Sequence, residues 1–274
     1  MSINPPAHPL DAVAIARDLG TRRVGRRIEV LPEVDSTNAY ALDRLAPLQA
    51  AADGTVVFAE HQTAGRGRLG RAWVCPRGAG LLFTVFLWQS SRPASLPRLV
   101  MASAVAVAIG VERATDVEPV IRWPNDLYVG DRKLAGMLVE VRDAAPAGAA
   151  VAVGIGINCF QQAGHFPPDL AASSTSLEIE STQALDRPAL ARTILREFDR
   201  WLSDSDDVSD SAMAAKWSEH SADIGARVTL VEDGRAYPGR IVDVSPVEGL
   251  LLHLDSGGRR HFDPAKTSRR SAHV

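Results

Sequence analysis

The sequence predicts an α+β fold in which a mixed sheet backed by helices is followed by a small all-β module. Three observations carry this. Apolar runs of strand length are interleaved with helical segments, the most apolar of which, Leu99 to Ala114, stands between strands. From Ile224 onward, short strands meet turn residues too often for helices to form. The chain of 274 residues has room for one large domain and one small one. With 46% hydrophobic and 23% charged residues, the composition excludes disordered and fibrous classes.

The elements follow in order. Leu10 to Leu19 reads as a short amphipathic helix and Arg27 to Val34 as a strand leading into Asp35-Ser-Thr-Asn38, where Asp35 or Ser36 caps a helix running to Leu45. Thr55 to Glu60 and Leu81 to Trp88 are apolar strands separated by a Gly/Arg loop. After the Leu99 to Ala114 helix come strand candidates Val120 to Trp123, Leu134 to Val141 and Ala150 to Ile157, the last two joined by the turn-rich 142–148. Pro188 opens a helix to Leu202, since a proline in the first turn loses no needed N–H. The acidic stretch Ser203 to Asp210 reads as a solvated inter-helix loop. Beyond Ile224, turns at Glu232-Asp-Gly, Ser245-Pro-Val-Glu-Gly and Asp255-Ser-Gly-Gly divide strands that suit a small SH3-like β-barrel. The expected domains are 1–222 and 223–274.

Lys+Arg of 30 against Asp+Glu of 33 leaves a charge of -3, so there is no global field for nucleic acid or anionic lipid. The two cysteines, Cys75 and Cys159, form no metal or disulfide spacing, and neither a signal peptide nor a membrane-length apolar run is visible. A cytoplasmic location, with no nucleic-acid and no membrane partner, is expected.

The chemistry concentrates in Glu60-His-Gln-Thr-Ala-Gly-Arg-Gly-Arg-Leu-Gly-Arg-Ala-Trp73. Gly65, Gly67 and Gly70 satisfy G-x-G-x-x-G, but a dinucleotide fold also needs an acidic residue about 20 positions later. No Asp or Glu stands between Glu60 and Glu112. A P-loop fails as well, because Arg71 and Ala72 replace the Lys and Ser/Thr that would hold phosphate and magnesium. What remains is a loop whose backbone approaches a ligand closely and whose Arg66, Arg68 and Arg71 suit an anion. Without acidic neighbours in sequence, those three are expected to repel one another until an anion binds.

Two further segments stand out. In Arg122-Trp-Pro-Asn-Asp-Leu-Tyr-Val-Gly-Asp-Arg-Lys133, Trp-Pro ends a strand, Asn125-Asp126 turns, and a hairpin-like excursion sets Lys133 at the head of the next strand. Taken alone, it reads as a well-turned hairpin with an exposed lysine. Val153-Gly-Ile-Gly-Ile-Asn158 places glycines inside a strand, which marks close approach of a ligand or of a packed helix.

In order, Asp35-Ser-Thr-Asn38, Gln62 to Trp73, Trp123-Pro-Asn-Asp-Leu127, Lys133-Leu-Ala-Gly136 and Gly154-Ile-Gly-Ile-Asn158 resemble the biotin protein ligases over nearly the whole chain. The resemblance implies a class II aminoacyl-tRNA synthetase-like catalytic domain with a C-terminal SH3-like barrel. It implies an enzyme that makes biotinyl-5'-AMP from biotin and ATP with magnesium and no tightly bound cofactor. That enzyme transfers biotin to a lysine of the biotin carboxyl carrier protein of a carboxylase, as a monomer or homodimer. The stretch ahead of Asp35 is shorter than a DNA-reading domain plus a lead-in strand, so the monofunctional type without operator binding is expected. A lipoate or octanoate protein ligase is the alternative from the same chemistry, and a non-catalytic biotin-binding regulator the alternative from another class.

By the same resemblance, Ser36, Thr37, Asn38, Gln62, Gly65, Arg66, Gly67, Arg68, Lys133, Gly136 and Gly154 hold biotin, with Gly156 also clearing space. Arg66, Arg68, Arg71, Trp73, Asn125, Lys133 and Asn158 face the nucleotide; for Trp73, packing against the loop or the core is the other reading. Lys133 and Arg68 stabilise the charge of adenylation. Asp126 either contacts magnesium or helps deprotonate the acceptor lysine. Arg122 stands where many relatives carry Lys, which changes the geometry of any contact made there.

Overall fold

The computed structural model describes residues 9–89, 95–144, 148–203 and 209–270. Within these residues the chain builds a seven-stranded sheet in the order β1-β2-β3-β7-β6-β5-β4, and a five-stranded sheet in the order β11-β10-β9-β8-β12. In the large sheet only β1 (Arg27–Leu31) and β2 (Thr55–Ala59) pair in parallel; β3 (Gly80–Gln89), β7 (Ala149–Asn158), β6 (Arg132–Asp143), β5 (Asp126–Val129) and β4 (Val120–Arg122) follow antiparallel. The mixed sheet with helices expected from the sequence is therefore present.

One face of this sheet is a conventional core. Phe83 and Val85 of β3, Val153 and Ile155 of β7, and Met137 of β6 are buried with α3 (Leu96–Ala114). Ser95 caps α3 by accepting from Arg98 N at 3.3 Å, and Pro97 sits in the first turn where its missing N–H is harmless. Leu99 and the eleven consecutive apolar or small residues Met101 to Val111 then keep α3 buried on nearly every side, between the sheet and α5 (Arg187–Trp201). Gly110 lets the two helices touch, since a Cβ there would stand 2.3 Å from Ile194 Cγ1. No helix among the described residues is long and apolar enough to cross a membrane.

Several boundaries differ from the sequence expectation for local reasons. The first helix, α1 (Ala12–Ala16), is shorter than Leu10 to Leu19. Leu10 N is held by the Glu60 carboxylate at 2.8 Å, and Asp18 takes a left-handed φ of 53° that ends the turn. β1 stops at Leu31 because Pro32 lacks a ladder donor, and Val34 rejoins the sheet only by a single bridge to Gln62. Ser36, not Asp35, caps α2 (Thr37–Tyr40), which continues as a π-turn over Ala41–Leu45. Asp126 opens β5 instead of completing a turn; the turn is Trp123-Pro124-Asn125, so Lys133 lies across a hairpin from Asp126. The short α4 (Leu177–Glu180) and α6 (Asp210–Glu219) carry no strong period in the sequence. Residues 204–208 of the Ser203 to Asp210 stretch and 145–147 of the 142–148 connection lie outside the described residues.

The C-terminal strands β8 (Arg227–Glu232), β9 (Arg235–Ser245), β10 (Gly249–Leu254), β11 (Arg259–Phe262) and β12 (Thr267–Arg269) pair antiparallel around Leu230, Ile241, Val244, Leu250, Leu252 and Phe262. Asp223 ties this sheet to the larger one: its carboxylate accepts from Trp123 N at 2.6 Å and pairs with Arg269 at 2.5 Å.

Candidate functional site

The opposite face of the large sheet is built differently. Because side chains alternate along a strand, Leu82 and Thr84 of β3, Gly154 and Gly156 of β7, and Gly136, Leu138 and Glu140 of β6 share this face. At one end it is covered by Ala41, Leu42 and Leu45 on Phe86, Trp88, Ala150 and Ala152; at the other, Cys75, Ala79 and Leu82 pack under Trp73. Between these apolar clusters lies a strip of glycine and polar side chains. A Cβ on Gly154 would stand 2.4 Å from Asn38 Oδ1, and one on Gly156 2.7 Å from the Trp73 ring. The glycines are thus a floor on which Asn38 and Trp73 rest.

Along one side of the floor runs a buried polar network. Gln62 Oε1 accepts from Thr37 N at 2.7 Å and lies 3.0 Å from Thr37 Oγ1. Thr84 Oγ1 lies 2.8 Å from Thr37 Oγ1 and 2.6 Å from Asn38 Oδ1. Asn38 Nδ2 donates to Leu138 O at 3.1 Å and to Glu140 Oε2 at 2.8 Å. Ser36 Oγ is the cap of α2, so this helix presents Thr37 and Asn38 from its first turn. The expected Ser36, Thr37, Asn38 and Gln62 are brought together here. Thr84 and Glu140 belong to the same network and were not expected, because each is a solitary polar residue in a strand and only the tertiary fold shows its neighbours.

The glycine-rich loop arches over the floor as a closed hairpin. Gly67 N donates to Arg71 O at 2.7 Å and Trp73 N to Gly65 O at 2.9 Å, while Leu69 and Gly70 turn at φ 55° and 75°. Gly65 has no room for a side chain, as its Cβ would fall 2.4 Å from Trp73 O.

The expected mutual repulsion of the loop arginines needs correcting, since the fold supplies partners that sequence proximity did not. Arg66 pairs with Glu140 at 3.1 Å. Arg68 donates to Asn125 Oδ1 at 3.3 Å, to Thr267 O at 2.6 Å and to Pro264 O, tying the loop to the C-terminal sheet. Burial lowers the Arg68 pKa, an effect opposed by Asp126 and reinforced by Arg71. Arg71 is exposed and has no ion-pair partner among the described residues.

Lys133 stands at the edge of the floor with Nζ 2.7 Å from Asp126 Oδ1 and 5.7 Å from the centre of the Trp73 ring. Its Cε and Nζ also limit the space above Gly136, where a Cβ would stand 3.2 Å from each. The Asp126 oxygen is buried and lacks a well-directed hydrogen bond despite its short approach to Lys133. Asn125 and Asn158 are buried and engaged. Asn125 Nδ2 donates to Met137 O, and Asn158 Nδ2 donates to Thr175 O at 2.8 Å and accepts at Oδ1 from Gln161 at 2.9 Å. Arg122 turns away from the floor, bonding Gly130 O at 2.9 Å and Asp131 at 2.7 Å and so closing its own hairpin. No group of three or more metal-ligating side chains occurs among the described residues.

This face sets a hydrogen-bonding network beside a strip of glycine backbone, with Lys133 at its edge as a cation for an anionic group. Comparison with known proteins agrees. A family model described as "Biotin/lipoate A/B protein ligase family" matches residues 30–158. A biotin–[acetyl-CoA-carboxylase] ligase of Mycobacterium tuberculosis is 34% identical over 92% of this chain and 92% of its own. The bifunctional ligase/repressor BirA of Bacillus spizizenii is 31% identical over 77% of this chain, which spans 65% of that relative's length. The solved biotin protein ligase of Aquifex aeolicus in complex with biotin and ATP superimposes with a TM-score of 0.76, at 26% identity, over 90% of this chain and 100% of that one.

Proposed function

The chain belongs to the biotin protein ligases of the biotin/lipoate A/B protein ligase family, and from that premise we propose that it activates biotin with ATP and transfers it to a lysine of a biotin carboxyl carrier protein. The observation that carries this reading is the glycine floor of Gly136, Gly154 and Gly156, bounded by the Thr37–Gln62–Asn38 network on one side and Lys133 on the other.

A ureido ring offers one carbonyl acceptor and two N–H donors. Gln62 Nε2 and the lone pairs of Thr37, Thr84 and Ser36 complement it, while Gly65 to Arg68 close the ring from above. In the first step a carboxylate oxygen of biotin attacks the α-phosphorus of ATP, and the bond to pyrophosphate breaks. Charge accumulates where Lys133 stands, and a preorganised cation there stabilises the transition state more than the ground state. With Arg66 and Arg68 engaged by Glu140 and the C-terminal carbonyls, Arg71 is the loop arginine left for nucleotide phosphate. Trp73 and Asn158 line that side, Asn158 chiefly by fixing the backbone around Lys133 and Thr175. In the second step the acceptor lysine amine attacks the acyl carbon and AMP leaves.

Magnesium would enter with the triphosphate. Asp126 Oδ1 is held by Lys133 at 2.7 Å, so its other carboxylate oxygen would be the one to reach an ion, which fits an ion held by one carboxylate and substrate phosphates instead of a protein cage. The same carboxylate is the acidic group closest to an incoming lysine. Supporting a class II synthetase-like catalytic domain over 1–222 and an SH3-like barrel over 223–274 are the two separate sheets and the Asp223 junction. The reading includes a cytoplasmic monomer or homodimer that binds no DNA.

Pyrophosphate release from ATP, measured with biotin, lipoate and octanoate in turn, tests the reaction. Biotin alone is expected to drive release. Release with lipoate or octanoate assigns the sister ligase activity, and biotin binding without release assigns a regulator.

A further inference from the structure

Glu140 lies outside every role assigned above, yet its carboxylate joins the buried network to Arg66 of the glycine-rich loop. Its Oε2 receives Asn38 Nδ2 at 2.8 Å and Arg66 Nη2 at 3.1 Å. A carboxylate can only accept, so Asn38 must present its amide nitrogen to β6 and its Oδ1 to Thr84. The Thr84 hydroxyl has a single proton, which goes to Asn38 Oδ1 at 2.6 Å because that atom cannot donate. The Thr37 hydroxyl proton goes to Gln62 Oε1 at 3.0 Å, because that atom cannot donate either, and its lone pairs face Thr84 at 2.8 Å. Gln62 Oε1 in turn receives the Thr37 backbone N–H at 2.7 Å, which leaves Gln62 Nε2 free to donate. Glu140 together with Leu138 O thus sets the amide direction of Asn38 and the proton of Thr84, while the Thr37 N–H sets the amide of Gln62.

Resting on the reading of this face as a biotin site, we propose that Glu140 is a positioning residue. It helps fix the amide orientation of Asn38 within the network and couples that network to the glycine-rich loop through Arg66. Removing the acceptor strands one N–H of Asn38, a side chain that is only 3% exposed, and leaves Leu138 O alone to receive the amide nitrogen. Removing only the charge spares Asn38 but releases Arg66. The Arg66 arm is the weaker of the two, as its guanidinium is 43% exposed and its pairing is screened by solvent.

Two substitutions separate the arms. Glu140→Gln keeps an acceptor for Asn38 and loses the charge for Arg66; Glu140→Leu loses both. Limited trypsin digestion reads the loop without any ligand, because Arg66, Arg68 and Arg71 are its cleavage points, and calorimetry reads biotin. Cleavage within 65–73 is expected to quicken at least threefold in both variants, with the rest of the chain cut at the wild-type rate. The Kd for biotin is expected to rise tenfold or more in Glu140→Leu and less than threefold in Glu140→Gln. Unchanged cleavage and affinity in Glu140→Leu overturn the proposal, as does a Gln variant as weak as the Leu variant or cleavage accelerated along the whole chain. A wild type that binds no biotin overturns the reading of the site itself, and trypsin then decides alone whether Glu140 holds the loop.

Discussion

The two faces of the seven-stranded sheet are made from the same strands and have opposite composition. Along β7, Val151, Val153 and Ile155 point into the helical core, while Ala152, Gly154 and Gly156 point to the opposite face, under Leu42, Asn38 and Trp73. Along β3, Phe83 and Val85 face α3 while Thr84 faces Asn38. The core face is filled by its own side chains, and the other face keeps its floor low so that side chains from elsewhere can lie over it. The stability of the fold is concentrated on the first face and the chemistry on the second, so mutations on the two should separate.

The sharpest break of this division is Phe83→Ala. Phe83 is fully buried and stacks on Phe58 at 5.0 Å between centroids, so truncation should remove about 3 to 5 kcal/mol of stability. Denaturant unfolding measures that loss. Adenylation per folded molecule should stay within a few-fold of wild type, and a selective loss of turnover would show the faces to be coupled.

Lys133→Ala tests the other side. It should slow adenylation by roughly a hundred- to a thousand-fold, about 3 to 4 kcal/mol of barrier, with little change in biotin affinity or melting temperature. Single-turnover pyrophosphate release and calorimetry separate rate from binding. Equal losses in both would make Lys133 a uniform binding group.

The smallest change is Gly154→Ala. Its methyl would fall 2.4 Å from Asn38 Oδ1, and Asn38 is held by Leu138 O and Glu140 and cannot yield cheaply. Biotin affinity should drop on the order of tenfold, about 1.4 kcal/mol, with a stability loss from overpacking of about 1 kcal/mol. A stability loss larger than the affinity loss would mean that the floor is part of the core.

The division also explains what was legible in the sequence. β3, β7 and α3 could be read directly because burial on the core face demands long apolar runs. The Gly/Arg loop, Lys133 and the Gly154-Ile-Gly156 alternation were visible because glycine and clustered arginine are rare where packing alone decides. β5 was not read as a strand: Asp126-Leu-Tyr-Val is short, and its register shifts between Leu127 and Tyr128. Thr84 and Glu140 were missed since a lone Thr or Glu in an alternating strand looks like ordinary solvent-facing chemistry. The same blindness hid the partners that relieve Arg66 and Arg68, although Arg71 still opposes the charge of Arg68. Glu140 is 74 positions from Arg66, and the carbonyls of Pro264 and Thr267 are nearly 200 from Arg68.

That last separation orders events during synthesis. The loop leaves the ribosome early, and the seven-stranded sheet beneath it is complete once Asn158 has emerged. The two carbonyls that receive Arg68 belong to β12 and the turn before it, more than a hundred residues later. A growing chain can therefore fold its catalytic sheet long before the loop above it has its anchor. The site is finished only when translation has passed Thr267, so a nascent or prematurely ended chain carries the floor without the fastened loop.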